Sequence, residues 1–239
     1  MLEAEKTDPH FELIFGRHAE DYHELVSHED WKGNLPGALV EAANFNGRTV
    51  VELGAGTGRL TLILARLGAR VLAFDRSQHM LDQAAANARE GGLTNVTFGL
   101  ADNRAVPLPD GTAEVVIEGW SFGHTVSLAE GAWRIAAEAL LAESMRLLKP
   151  DGTLVIVETL GTGTRMPEPP GSVLPVFYGF LERQLGFASR WVRTDYRFSS
   201  LTEARRLVEL FFGRMVEYEL LEGGEVIVPE CTGVWHRTR

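Results

Sequence analysis

Thr49-Val50-Val51-Glu52-Leu53-Gly54-Ala55-Gly56-Thr57-Gly58-Arg59-Leu60 decides the fold. An apolar, β-branched run drives into three glycines at alternate positions and then into a helical pattern. That order predicts strand, tight turn, helix. A turn that lets a ligand lie against bare backbone cannot carry Cβ atoms there. The first N–H groups of the following helix are unpaired and face the ligand. The spacing is Gly54-x-Gly56-x-Gly58, and Arg59 stands where a dinucleotide fingerprint needs its last Gly or Ala. The run therefore departs from the NAD and FAD rule. It also lacks the Gly-Lys-Ser/Thr ending of a P-loop.

With Glu52 directly before the glycines, Val-Glu-Leu-Gly-Ala-Gly-Thr-Gly resembles motif I of the class I S-adenosylmethionine-dependent methyltransferases. The resemblance implies an α/β fold: a doubly wound, seven-stranded, mostly parallel sheet with a C-terminal antiparallel hairpin. It also implies S-adenosylmethionine as cofactor. Working outward, Leu60, Ile63, Leu64 and Leu67 repeat at helical spacing and Gly68 stops the helix. Residues 69–75 form a second strand ending at Asp75, 17 residues past Gly58. An acid there accepts from ribose hydroxyls, as in nucleotide folds generally. Ser77 caps the next helix, whose buried face holds Met80, Leu81, Ala84, Ala85 and Ala88.

The third strand, 96–102, closes at Asp102-Asn103, which resembles the family's adenine-side position and is also good turn chemistry. A two-proline loop, 107–111, leads to a fourth strand over 113–120. Ligands in such sheets lie outside the carboxyl ends of the strands. Glu118, Trp120, Ser121, Phe122 and His124 therefore sit where cofactor and acceptor meet, with His124 on a loop. A long helix over 132–148 ends in Lys149-Pro150-Asp151-Gly152, again family-like, before a fifth strand over 153–158. Carried over, the resemblance implies a cofactor site of Glu52, Gly54, Ala55, Gly56, Gly58, Asp75, Arg76, Met80, Asp102, Asn103, Glu118 and Trp120.

The flanks read less clearly. Residues 1–45 are expected to form an N-terminal cap: an irregular lead-in, a helix near Ala19–Ser27, and a second opened by Pro36. Tyr22, Trp31 and Lys32 are candidates to touch the cofactor. Residues 46–160 are the cofactor-binding core. Residues 161–200 mix glycines and prolines with a strongly apolar helix near 173–185, which suggests a lid whose Phe177, Tyr178, Phe180 and Trp191 face the acceptor, with Tyr22 opposite. Ser200-Leu201-Thr202-Glu203 opens a last helix. Residues 215–221 and 225–236 are expected to pair as a hairpin around Gly223-Gly224.

The chain has 239 residues, enough for one such domain, with 45% hydrophobic and 23% charged residues. The net charge of −10 argues against nucleic-acid partners. One cysteine, Cys231, permits no intrachain disulfide. The opening Met1-Leu2-Glu3-Ala4-Glu5-Lys6 has no signal-peptide apolar core and no run is long enough to span a bilayer, so a cytoplasmic protein is expected, monomeric or a homodimer.

Methyl transfer is an in-line displacement in which proximity alone contributes about 7–11 kcal/mol, so no general base is mandatory. His124, Tyr22 and Glu118 are the candidates if one is used, and the catalytic residues are left unassigned. Other methyltransferase chemistries lack their residues here. Glu118-Gly119-Trp120-Ser121 replaces the Asn/Asp-Pro-Pro-aromatic run of adenine-N6 enzymes. A lone late cysteine excludes the cytosine-C5 and arsenic types. Glu158-Thr159 does not supply the Asp-Asn pair of the magnesium-dependent catechol type, so no metal is expected. The expected function is methylation of a small-molecule acceptor. Protein or RNA methylation, or non-catalytic S-adenosylmethionine binding, is the alternative.

Overall fold

The computed structural model describes residues 9–239. The acidic opening read above lies outside them. Three helices come first: α1 (Pro9–Arg17), α2 (Ala19–Ser27) and α3 (Asn34–Ala42). Strand–helix alternation follows: β1 (Thr49–Leu53), α4 (Arg59–Arg66), β2 (Arg70–Asp75), α5 (Gln78–Glu90), β3 (Val96–Leu100) and β4 (Ala113–Gly119). Then come α6 (Phe122–Leu128), α7 (Trp133–Leu147), β5 (Leu148–Thr162), α8 (Val173–Arg183), β6 (Ala188–Arg193), β7 (Tyr196–Phe198), α9 (Leu201–Phe212), β8 (Glu219–Leu220), β9 (Val226–Val228) and β10 (Glu230–Thr238).

The main sheet has seven strands in the order β3-β2-β1-β4-β5-β10-β6. Six of these strands run in one direction, and β10 runs against them. The chain winds outward from β1 to β3 and then returns to the other side of β1 with β4. That reversal is the topological switch point, where the carboxyl ends of two adjacent strands leave a crevice. Strand residues alternate between the two faces, as the two-residue period requires. Val51, Leu53, Val116, Leu154 and Ile156 join one core with α6, α7 and α8. Val50, Val71, Ile117, Val155 and Val157 join another with α3 and α4. Among the described residues, no helix is long and apolar enough to cross a membrane.

Three expectations need correction. The lead-in before Ala19 is a helix, α1, and its Phe11 and Phe15 share a face. The expected hairpin forms, but its arms β8 and β9 belong to a second sheet, β7-β9-β8, while only β10 enters the main one. Pro229, which has no N–H to give a ladder, marks the change of sheet between β9 and β10. The small sheet, α9 and Leu25 of α2 share a third core. Finally, the apolar side chains of α8 do not line the cavity. Phe177, Tyr178, Phe180 and Leu181 are buried in the core on the α7 side. Tyr178 stacks on Trp235 at 4.5 Å and donates its hydroxyl to the Thr159 carbonyl at 2.9 Å. Trp191 stands on the outermost strand, β6, partly exposed.

Candidate active site

A cavity of about 440 Å³ opens at the switch point. Its floor is the turn between β1 and α4. Gly54, Gly56 and Gly58 have φ values of 76°, 54° and 88°, a region L side chains rarely adopt. The Gly54 and Ala55 N–H groups donate to the Phe74 carbonyl at 2.8 and 2.9 Å, which stitches the turn to the end of β2. The two outer glycines do different work. Gly54 and Gly56 line the cavity, whereas Gly58 is buried and caps α4, where an added Cβ would meet that of Ala84 at 3.3 Å.

Asp75 ends β2 on the cavity wall. Its Oδ2 accepts from the Gly56 N–H and its Oδ1 from the Ser77 N–H, both at 2.8 Å. Burial raises its carboxyl above the ordinary range, and those two amides pull it back down. Arg76 and Met80 line the same end. Asp102 and Asn103 do too, but Arg104 grips the Asp102 carboxylate through its backbone N–H at 2.8 Å and its guanidinium at 2.8 and 2.6 Å. That grip holds the Asp102 carboxyl below its ordinary range.

Trp120 also lines the cavity, at φ 53°. The Arg59 guanidinium lies over its ring, 3.4 Å from the centroid, and pairs on its other side with the buried Glu29 of the segment between α2 and α3.

Four expected site residues do not line the cavity. Glu52 is buried and accepts the Thr61 hydroxyl at 2.5 Å, tying β1 to α4. Ala55 and Gly58 are buried in the turn. Glu118 lies behind the wall. It accepts from the Ser121 N–H at 3.2 Å, the Ser121 hydroxyl at 3.1 Å and the Phe122 N–H at 3.1 Å, while Glu158 takes the Gly123 N–H at 2.5 Å. This buried carboxyl pair thus absorbs the amides at the start of α6. His124 is therefore on a helix and not on a loop, and it lines the cavity. Trp31 and Lys32 are exposed outside it.

Sequence reasoning missed Phe11, Phe15, Arg104, Thr125 and Leu128 as lining residues. The i, i+4 spacing of Phe11 and Phe15 was the available signal. Those rings, with Tyr22, roof the cavity. Ser77 Oγ donates to the Phe15 carbonyl at 2.9 Å, tying α1 to the start of α5.

Burial pushes Glu52, Glu118 and Glu230 each from 4.5 up to about 8. The folded chain thus holds protons that the unfolded chain releases above pH 4.5. Their contribution to stability is fully present below that pH and is lost as pH rises through about 8. The thermal midpoint should fall between pH 6 and pH 9, and Glu118→Gln should reduce the fall. Equal midpoints at the two pH values would contradict the assignment.

Residues 50–152 match the family model for a methyltransferase domain. A ribosomal protein arginine N-methyltransferase of Schizosaccharomyces pombe is 31% identical over 57% of this chain and 25% of its own length. A demethylmenaquinone methyltransferase of Lactococcus lactis is 26% identical over 61% of this chain and 57% of its own length. The chain thus spans a quarter to just over half of these relatives. The crystal structure of an S-adenosylmethionine-dependent methyltransferase from Aquifex aeolicus superposes with a TM-score of 0.53 at 19% identity, covering 96% of this chain and 93% of that one. Residues 50–152 thus carry a methyltransferase domain, and the chain shares its fold with a methyltransferase of known structure.

Proposed function

We propose that the chain transfers a methyl group from S-adenosylmethionine to a small acceptor enclosed in the cavity. The observation that carries the acceptor class is the division of the lining. Its carboxylates and guanidiniums, on Asp75, Arg76, Asp102 and Arg104, stand at the ends of β2 and β3. Its wall from α1, α2, α6 and α7 offers Phe11, Phe15, Tyr22, His124, Leu128 and Leu140. A pocket lined largely by apolar and aromatic groups, with a few polar ones, suits a small molecule.

The residues present fit the cofactor. The bare turn at Gly54 and Gly56 admits close approach of a ligand. Asp75, already oriented by two amides, is suited to accept from ribose hydroxyls. Arg76, Met80 and Asn103 would stand beside the nucleoside. When bound, the cofactor supplies a methyl group on a positively charged sulfur, and the chain's own part is to orient the two reactants and exclude water.

Protein arginine methylation is the second reading, favoured by the yeast relative alone. A guanidinium needs carboxylates facing it. Here Asp102 is held by Arg104, and Glu118 and Glu158 are turned to the amides of α6. The acidic balance of the chain disfavours RNA.

Calorimetry should find tight binding of S-adenosylmethionine and of S-adenosylhomocysteine, and negligible binding of NAD. NAD binding without S-adenosylmethionine binding would sink the reading. Incubation with labelled S-adenosylmethionine and a metabolite extract, followed by mass spectrometry, should reveal a product heavier by one methyl. Binding without turnover would make the chain a binder and not an enzyme.

A further inference from the structure

Resting on the methyl-transfer reading, we propose that the acceptor is a flat, uncharged ring bearing a hydroxyl, seated against Phe11, Phe15 and Tyr22, with His124 taking the hydroxyl proton.

The aromatic wall is built from two directions. Phe11 and Phe15 of α1 lie 5.8 Å apart and nearly parallel, and Phe15 meets Tyr22 of α2 edge-on at 5.7 Å. From the opposite side, His124 of α6 meets Phe11 at 4.5 Å and Phe15 at 5.9 Å, edge-on to both. Among the described cavity residues from α1, α2, α6 and α7, His124 alone carries an imidazole, the side-chain type suited to general-base work. Burial pushes the Tyr22 phenol up to about 12, so it remains a neutral donor.

Two alternatives meet obstacles. An anionic acceptor would find the guanidinium nearest to Tyr22, that of Arg59, already paired with Glu29 and stacked on Trp120. A cationic one would need several open ring faces, since a cation is held over the face of a ring. The Trp120 face is covered by Arg59, and Phe11 and Phe15 turn theirs to one another. Neutral rings instead pack well edge-on and offset. The amides of Ser121, Phe122 and Gly123, just ahead of His124, are held by the buried carboxyl groups of Glu118 and Glu158, which fixes the start of the helix that carries it.

The chemistry balances without a further reactant. The methyl carbon's bond to sulfur breaks with its electron pair left on sulfur, the acceptor oxygen forms the new bond, and the hydroxyl proton passes to His124 and then to water.

The test uses the full chain saturated with S-adenosylhomocysteine and three probes of one shape: 2-naphthol, 2-naphthoate and 2-naphthylmethylamine. Calorimetry should show 2-naphthol binding at least about tenfold more tightly than either charged probe. Phe15→Ala should weaken naphthol about tenfold while leaving S-adenosylhomocysteine binding within twofold. Charged probes binding as well as naphthol, or naphthol not binding, would overturn the acceptor class while leaving methyl transfer standing. Failure of S-adenosylhomocysteine itself to bind would instead strike the parent reading. With S-adenosylmethionine present, His124→Asn should keep naphthol affinity and slow its methylation about 10²–10⁴-fold. Its residual rate should climb with pH as naphthol ionises unaided. A variant with the normal rate and an unchanged pH profile would remove His124 from the reaction.

Discussion

Asp75→Ala is expected to weaken S-adenosylmethionine binding about a hundredfold with the fold intact. Two losses add. The carboxylate would no longer accept from the ribose hydroxyls, and hydrogen bonds to a charged acceptor are worth about 1.5–3 kcal/mol each. The Gly56 N–H would also lose the acceptor that it meets at 2.8 Å, loosening the turn that forms the cavity floor. Asp75→Asn should fall between, because its side-chain oxygen can serve one amide but not both. The fold should survive, since β2 is held by parallel ladders to β1 and β3 independent of this side chain. Titration calorimetry reads the affinity and circular dichroism the fold. A dissociation constant within threefold of the parent would show that the ribose is held elsewhere.

Arg59→Ala should cost about 3 kcal/mol of stability at pH 7. Breaking a buried ion pair from one side leaves a charge without its partner, for which about 3–5 kcal/mol is typical. The Glu29 carboxyl is raised by burial even with Arg59 beside it, and it can take up a proton in the variant, which puts the expectation at the low end. Arg59 also covers the Trp120 ring, and Trp120 holds a left-handed backbone that bulky residues avoid. Arg59→Lys restores the charge without the flat guanidinium, so it should recover only part of the loss. Urea unfolding measures the stability, and tryptophan fluorescence reports the ring. A loss below 1 kcal/mol would mean that the segment carrying Glu29 is held without the pair. The residue that breaks the dinucleotide fingerprint thus ties the segment between α2 and α3 to the cavity wall.

The fold was legible where chemistry and periodicity coincide. Glycines at positive φ, a β-branched run before them and an acid ending the next strand place β1, α4, β2 and Asp75 without reference to anything distant. The start of α3 was legible to within two residues, because within a helix Pro36 is tolerated only in the first turn. The site was legible in part. Gly54, Gly56, Asp75, Arg76, Met80, Asp102, Asn103 and Trp120 line the cavity, whereas Glu52 and Glu118 turn inward to Thr61 and to the amides of α6. A motif fixes where a residue lies along the chain but not which way its carboxyl points. The α6 helix escaped because its seven residues include Gly123, Ser127 and Thr125, poor helix formers, and it is held by Glu118 and Glu158 from neighbouring strands. The excess of apolar groups on α8 suggested a ligand. They are instead buried on several sides among α6, α7 and Trp235, because a pattern of apolar positions does not say what covers them. Conversely, α1 looked irregular because its phenylalanines face a cavity and not a continuous core.

The position of β10 bears on how such a chain is made. It lies between β5 and β6, and both pair with it along most of its length. Synthesis completes β5 at Thr162 and β6 at Arg193, yet neither has its shared neighbour until Glu230–Thr238 emerge. Throughout that interval the growing polypeptide presents a bare strand edge, the kind of template on which other chains pair and aggregate. The stretch from Glu230 is therefore what closes that exposure. A product stopped short of it would keep five parallel strands with an open flank and an orphaned β6, a natural target for chaperones and proteases.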